Sequence, residues 1–311
     1  INNSNKEIAH NINPYLVNAD DIIISNRTQP ICDVPTMNYG SMPIDNGYLI
    51  LDKDDVSKLL TENPNNIRFI KEYAGGQELI KNKKRWCLWL DKTSPSDFKN
   101  SKFIRERLTK TQEFRRESKR PQTKKMADFP YLFGEIRQPE TSMIVIPKVS
   151  SENRRYIPIS IVSPETIVNG SALIIPKADL FTFGILISNV HMAWMRTTAG
   201  RLEMRYQYSS NVVYNNFPWP EVTDAQKEKI SKTAQGILDA RALYPDSSLA
   251  DLYDELTMPK ELRRAHQAND KAVMEAYGLT KIVDGKKTWL TESETVARLF
   301  EMYEQLTNSK S

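Results

Sequence analysis

The chain has 311 residues, 40% of them hydrophobic and 26% charged, with a net charge of +4 at neutral pH. That length and balance allow a buried core and two domains, and they exclude a disordered, collagen-like or disulfide-rich chain. The longest apolar run, residues 181–195, is broken by Asn189 and His191 and is too short for a bilayer, and Cys32 and Cys87 stand alone, so the expectation is a cytoplasmic protein with reduced thiols and no membrane partner.

The chain opens at Ile1 in a polar stretch, INNSNKEIAHNIN, which reads as a piece of a longer polypeptide with residues 1–45 as a connector. Asp21 to Ile24 is a short strand candidate, and Pro30, Pro35, Gly40, Pro43 and Gly47 punctuate a loop-rich stretch after it. Tyr48 to Leu51 reads as a strand, and residues 54–60 as a helix opened by acidic side chains. Gly75 and Gly76 precede a basic run, Lys81 to Arg85; a hairpin turn is favoured there over a phosphate cradle. Arg85 to Leu90 has the aromatic density of a buried strand.

Residues 96–120 read as one long helix with a thin apolar stripe, Phe103, Ile104, Leu108 and Phe114, stopped by Pro121. Residues 99–125 hold eleven Lys/Arg against three Glu, a net of +8, which leaves about −4 for the rest of the chain. Taken alone, such a run is more often a solvated face than a phosphate site. Strands are expected over 142–147 and 156–161, joined by the polar turn SSENRR, and over 171–175.

Ser188 is placed to cap a helix in which Val190, Ala193, Trp194 and Met195 recur at helical spacing, and Gly200 is expected to end it in a left-handed conformation. From Arg201 to Tyr208 the period changes to two. One strand is expected, with Leu202, Met204, Tyr206 and Tyr208 on the core face and Arg201, Glu203, Arg205 and Gln207 opposite. A carboxylate, a guanidinium and an amide in successive alternate positions are the groups that read base edges in the major groove of DNA. Residues 215–220, NNFPWP, read as a structural stop.

Beyond residue 220 the pattern turns helical. Helices are expected over 224–243, 248–256, 259–277 and 292–306, with capping boxes at Thr223/Gln226 and Thr291/Glu294 and a tight hairpin at Asp284 and Gly285. Residues 221–311 carry thirteen basic and sixteen acidic side chains, so this part suits a brace better than a DNA surface. The reading is an α+β chain: a mixed α/β domain over 1–220 followed by a C-terminal helical bundle over 221–311. No glycine-rich cofactor loop, Walker loop, HExxH or CxxC occurs. His10, His191 and His266 are scattered, and the last two read as core histidines. No catalytic residue, metal site or cofactor site is therefore expected in the chain itself.

The strings HMAWMRTTAGRL, RYQYS and VYNNFPWP, with INPYL, MPIDNG, KNKKRWCLWL and RRYIPI upstream and LYDELTMPKELRRAHQANDKAV downstream, span most of the chain. They resemble the C-terminal target-recognition region of MmeI-like (type IIL) restriction–modification enzymes and related class I adenine-specific DNA methyltransferases. The resemblance implies a recognition domain similar to those of type I specificity subunits, with double-stranded DNA as partner. It also implies that S-adenosylmethionine and catalysis belong to a methyltransferase domain upstream in the same polypeptide, since the family's NPPY/F motif is absent; Tyr214 to Phe217 lacks its prolines. Base readout is carried over to Glu203, Arg205, Gln207, Lys148, Gly170 and Ser171. With DNA as the implied partner, Arg105, Arg107, Arg115, Arg116, Lys119 and Arg120 become candidate phosphate contacts. A reading from a different class is a protein-interaction or anti-restriction adaptor that keeps this fold without binding DNA.

Overall fold

Helix caps and short buried apolar runs locate most elements of the chain. The computed structural model describes residues 11–16 and 21–308. Its contacts divide into a sheet unit, Asn38–Pro147 with Ser160–Lys177, and a helical unit made of the described parts of Ile1–Met37, Lys148–Ile159 and Ala178–Ser311.

The sheet unit starts with β1 (Asn38–Tyr39) and β2 (Ile50–Leu51). Helix α1 (Lys53–Glu62) forms because Asp52 accepts from the backbone N–H of Asp55 at 2.8 Å and Asp55 returns the bond, a reciprocal capping box. Strand β3 (Ile70–Ala74), the short helix α2 (Gly76–Lys81) and β4 (Trp86–Leu88) follow. The glycine pair does not make the expected hairpin turn: Gly75 is the N-cap of α2, its N–H donated to the Glu78 carboxylate at 3.0 Å. The expected long helix is two, α3 (Pro95–Phe98) and α4 (Lys102–Glu117), the latter capped by Ser101, whose Oγ accepts from Ile104 N at 3.1 Å. Pro121 does not stop α4 but begins α5 (Pro121–Lys125), where its missing N–H costs nothing.

Strand β5 (Met143–Pro147) is buried throughout and sits inside an antiparallel sheet of order β1-β9-β5-β7. After it the chain passes through residues 148–159, which include β6 (Val149–Ser150) of the helical unit, before β7 (Ser160–Val162), β8 (Thr166–Val168) and β9 (Ala172–Pro176). The SSENRR segment is thus part of an excursion and not a hairpin turn, and the strand expected from 156 begins at Ser160. Register is Met143↔Pro176 to Pro147↔Ala172 on one side of β5 and Met143↔Val162 on the other. A second sheet, β2-β4-β3-β8, is antiparallel except for the parallel β3–β8 pair. Its core gathers Leu49, Leu51, Leu59, Phe69, Leu88 and Ile104.

In the helical unit, α6 (Leu180–Leu186) and α7 (Asn189–Thr198) follow one another, with Ser188 capping α7 as expected. Gly200 is not the left-handed stop. Ala199 ends α7 in extended backbone, and Gly200 opens β10 (Gly200–Leu202), which is followed by β11 (Arg205–Gln207). The remaining elements are α8 (Asp224–Ala242), the short α9 (Leu249–Leu252), α10 (Lys260–Ala276), β12 (Thr280–Val283), β13 (Lys286–Trp289) and α11 (Glu292–Asn308). Both expected capping boxes form. The β12–β13 turn has positive φ at Asp284 and at Gly285 (49° and 73°), the pair of left-handed residues that a two-residue type I′ turn demands. Helix α8 packs on α6 and α10, and α7 packs on α11, so helices from both sides of residue 220 share a core. At its centre Trp194 donates Nε1–H to the Val213 carbonyl at 3.0 Å and meets Phe217, Phe300 and Tyr303. Residues 21–24 form no strand. The fold is α+β, several small sheets accompanied by a largely helical C-terminal region.

Candidate nucleic-acid interface

The segment 200–208 is a tight hairpin and not the expected single strand. β10 and β11 pair Gly200↔Gln207, Arg201↔Tyr206 and Leu202↔Arg205 around a two-residue turn, and Glu203, the first turn residue, has φ of 56°. A two-residue turn places residues i and i+3 opposite each other, so the alternation changes phase across it. Leu202 therefore shares a face with Arg205 and Gln207, while Tyr206 and Tyr208 stay on the buried side. The apolar face expected of four residues holds only two: Leu202 is 44% exposed and Met204 71%.

The root of the hairpin is held firmly. β11 pairs with β6 through Tyr206↔Ser150 and Gln207↔Val149, and Tyr208 N–H donates to the Lys148 carbonyl at 2.8 Å. Tyr208 OH bonds His191 Nε2 at 2.8 Å. Burial pushes the imidazole down to about 3 and the Tyr208 phenol well up, so both stay neutral. The Arg201 guanidinium lies 3.8 Å from the centre of the Tyr206 ring. On the outward face Arg205 donates from Nη2 to Glu203 Oε2 at 2.7 Å, with side chains 45% and 76% exposed. Gln207 is exposed beside them. Lys148 joins the ladder one residue beyond Val149, and strand alternation puts it on the other face from Gln207.

The other two candidate base readers, Gly170 and Ser171, lie in the sheet unit, in the turn between β8 and β9. Having no side chain, Gly170 can serve a partner only by permitting close approach or by leaving room. That room is already taken, because a Cβ there would stand 2.8 Å from the Met42 methyl group. Ser171 Oγ–H donates to Asn169 Oδ1 at 2.6 Å, and the hydroxyl oxygen accepts from Gly76 N at 3.2 Å.

The basic helix α4 divides by face. Ile104, Leu108, Thr111 and Arg115 are its buried residues. Arg115 is corrected from phosphate contact to internal brace: it is 1% exposed, and its guanidinium donates to the carbonyls of Pro43, Ile44, Met126, Phe129 and Leu132. Arg107 is half withdrawn as well, paired with Asp55 at 2.5 Å and bonded to the Tyr48 and Ile50 carbonyls. Arg105, Arg116, Lys119 and Arg120 are exposed. The signal that separates the two groups is weak in sequence: Arg115 keeps the helical spacing of Ile104, Leu108 and Thr111.

Two further expectations concern interior residues. His191 and His266 are buried, His266 with Nε2 2.8 Å from Tyr253 OH and its ring stacked 4.1 Å from Tyr156; His10 lies outside the described residues. In the NNFPWP segment, Asn215 donates to the Arg27 carbonyl and Asn216 to the carbonyls of Ser25, Asn211 and Val212, while Asn216 Oδ1 accepts from Arg27 Nε at 2.9 Å. Both amides tie separate stretches of chain together, which is structural work. Cys32 and Cys87 form no disulfide with each other, and the Cys32 thiol donates to the Phe217 carbonyl at 3.9 Å.

The MmeI target recognition domain model matches residues 18–221, and the MmeI C-terminal domain model matches residues 222–310. DNA methyltransferase A of Bacillus subtilis (strain 168) is 34% identical over 302 residues, 97% of this chain and 33% of that protein. The structure of the type IIL restriction–modification enzyme MmeI in complex with DNA matches with a TM-score of 0.89 and 42% identity, over 96% of this chain and 39% of that one. The chain thus spans about a third of the curated relative and about two fifths of the solved enzyme.

Proposed function

The chain belongs to the MmeI target-recognition family, and from that premise we propose that it reads a specific sequence in duplex DNA on behalf of a methyltransferase domain in the same polypeptide. That domain would use S-adenosylmethionine to methylate adenine in the cytoplasm, and none of its catalytic groups lies in this chain. Support comes from the name of the Bacillus relative, from the DNA complex of MmeI, and from the length those proteins have beyond the matched region. Among the described residues no helix is long and apolar enough to cross a membrane. Residues 1–220 act as the reader in this proposal and 221–311 as the brace.

The observation that carries the reading is the exposed Glu203–Arg205 pair on a hairpin whose root is buried. A carboxylate accepts from cytosine N4 and a guanidinium donates to guanine O6 and N7, so the pair can read both halves of one C·G pair. As a mere surface ion pair it would be worth about 0–1 kcal/mol and would read nothing. The test is the double exchange Glu203→Lys with Arg205→Asp in the full-length enzyme, assayed over a target library. Preference at one position should move from C toward G. An unchanged preference at every position, in a normally folded variant, rejects the assignment.

A further inference from the structure

In the sheet unit, the two positions that the family resemblance marks for base reading offer no free donor. Gly170 has no side chain, and Met42 fills the space beside it. The Ser171 hydroxyl gives its proton to Asn169 and is held from the other side by Gly76 N–H. Both nevertheless line a concavity of about 520 Å³, together with Asp45, Gln77, Glu78 and Arg85. Most polar groups of that lining are also committed. Asp45 accepts from the N–H groups of Gly47 and Leu49, and Glu78 accepts from Gly75 N–H and from Arg85.

Gln77 is different. It sits on α2 directly after Gly76, and because Gly76 and Ile80 are the buried positions of that helix, its side chain is exposed. Its amide makes no hydrogen bond to any described residue, so one donor group and one acceptor remain unspent at the mouth of the concavity. The chain then runs from α2 to β4 through Lys81, Lys83, Lys84 and Arg85, all exposed. Lys84 is paired with Glu72 and Arg85 with Glu78, whereas Lys81 and Lys83 make no ion pair with any described residue. A basic run beside an unspent amide is the combination that positions a duplex and reads it.

Resting on the reading of this chain as a duplex-DNA reader, we propose that Gln77 is a specificity-determining residue that recognises adenine in the major groove. Its Oε1 accepts from adenine N6–H and its Nε2–H donates to N7. Guanine presents two acceptors there and cytosine only a donor, so neither matches both halves of the amide. Ser171 and Asn169 act behind it, fixing the N-terminus of α2 through Gly76 rather than touching the base.

The experiment uses the full-length enzyme and the target duplex selected from a random library. Gln77→Ala should flatten the preference at one A·T pair by about 5- to 150-fold and leave the other positions unchanged. Replacing that adenine by 7-deazaadenine should weaken wild type and leave Gln77→Ala unaffected. Gln77→Glu, which can only accept, should shift the same position toward cytosine. If Gln77→Ala keeps the wild-type preference at every position, this inference is overturned while the recognition function stands. If wild type itself shows no base preference on any duplex, the recognition reading fails and the inference falls with it.

Discussion

Helix α4 and the β10–β11 hairpin both drew attention by their arginines, and the structure treats them in opposite ways. Arg115 on α4 is enclosed, with five carbonyls around its guanidinium, while Arg205 on β11 stands half in solvent with one carboxylate partner. On α4 the buried arc takes Arg115, and Arg107 is drawn inward by Asp55. Its outward arc mixes Lys102, Arg105, Lys110 and Arg116 with Glu106, Glu113 and Glu117. The unopposed positive charge lies after the helix, at Lys119, Arg120, Lys124 and Lys125, all exposed. Charge counted along a sequence is therefore not charge presented to a partner. A guanidinium inside a fold is a connector between backbone carbonyls; at a hairpin tip it remains available for recognition.

The contrast is broken or sharpened by four measurements. The largest effect should come from Arg115→Ala, which removes five hydrogen bonds, takes the guanidinium donors from the Ile44 and Leu132 carbonyls and empties a buried site, and should cost about 4 kcal/mol or more of stability, or prevent folding. Arg115→Lys should not restore it, because an ammonium carries at most about three donors. A denaturation midpoint close to wild type would return Arg115 to the surface set.

The root of the hairpin predicts an acid effect. The His191 pKa is depressed by burial to about 3, against about 6.5 when unfolded. Its contribution is therefore complete above pH 6.5 and is lost as pH falls toward 3, by about 2 kcal/mol at pH 5. His191→Gln should have a flatter stability profile between pH 7 and 5, and an identical profile would mean that this imidazole is solvated.

At the hairpin tip the pattern should invert that of Arg115. Arg205→Ala should change stability by less than about 0.5 kcal/mol yet cost about 1–3 kcal/mol of binding at one base pair. A uniform loss across all target sequences would make Arg205 a phosphate contact. The smallest effect belongs to the exposed cations around α4. Neutralising Lys119 and Arg120 should lower the salt dependence of binding by about one unit per contact, equally on all sequences. An unchanged slope would leave these cations as a solvated face.

How much of this was legible beforehand differs from element to element. The caps at Ser188, Thr223 and Thr291 and the Asp284–Gly285 turn were read correctly because each depends on a few adjacent residues. The hairpin at 200–208 was misread because no glycine or asparagine occupies its turn; Glu203 takes the left-handed conformation instead. Alternation of apolar and polar residues looks the same in one strand as in two strands joined by two residues, until the pairing register is known. Gln77 carried no signal at all: a single amide in a short helix acquires meaning only from the concavity it borders.

By itself the sequence determined the long helices α8, α10 and α11, the family and the α+β class, because helix periodicity, caps and long matching strings are written in neighbouring residues. Only the tertiary structure decided which cations reach solvent, that the SSENRR segment belongs to an excursion between paired strands, and that Leu202 leaves the core. Those outcomes depend on carbonyls and strands brought together from distant parts of the chain. Arg115 shows the reason: its carbonyl partners lie as far away as Pro43 and Leu132, and its helical spacing from Ile104, Leu108 and Thr111 puts it on the inner face without supplying the carbonyls that hold a guanidinium there.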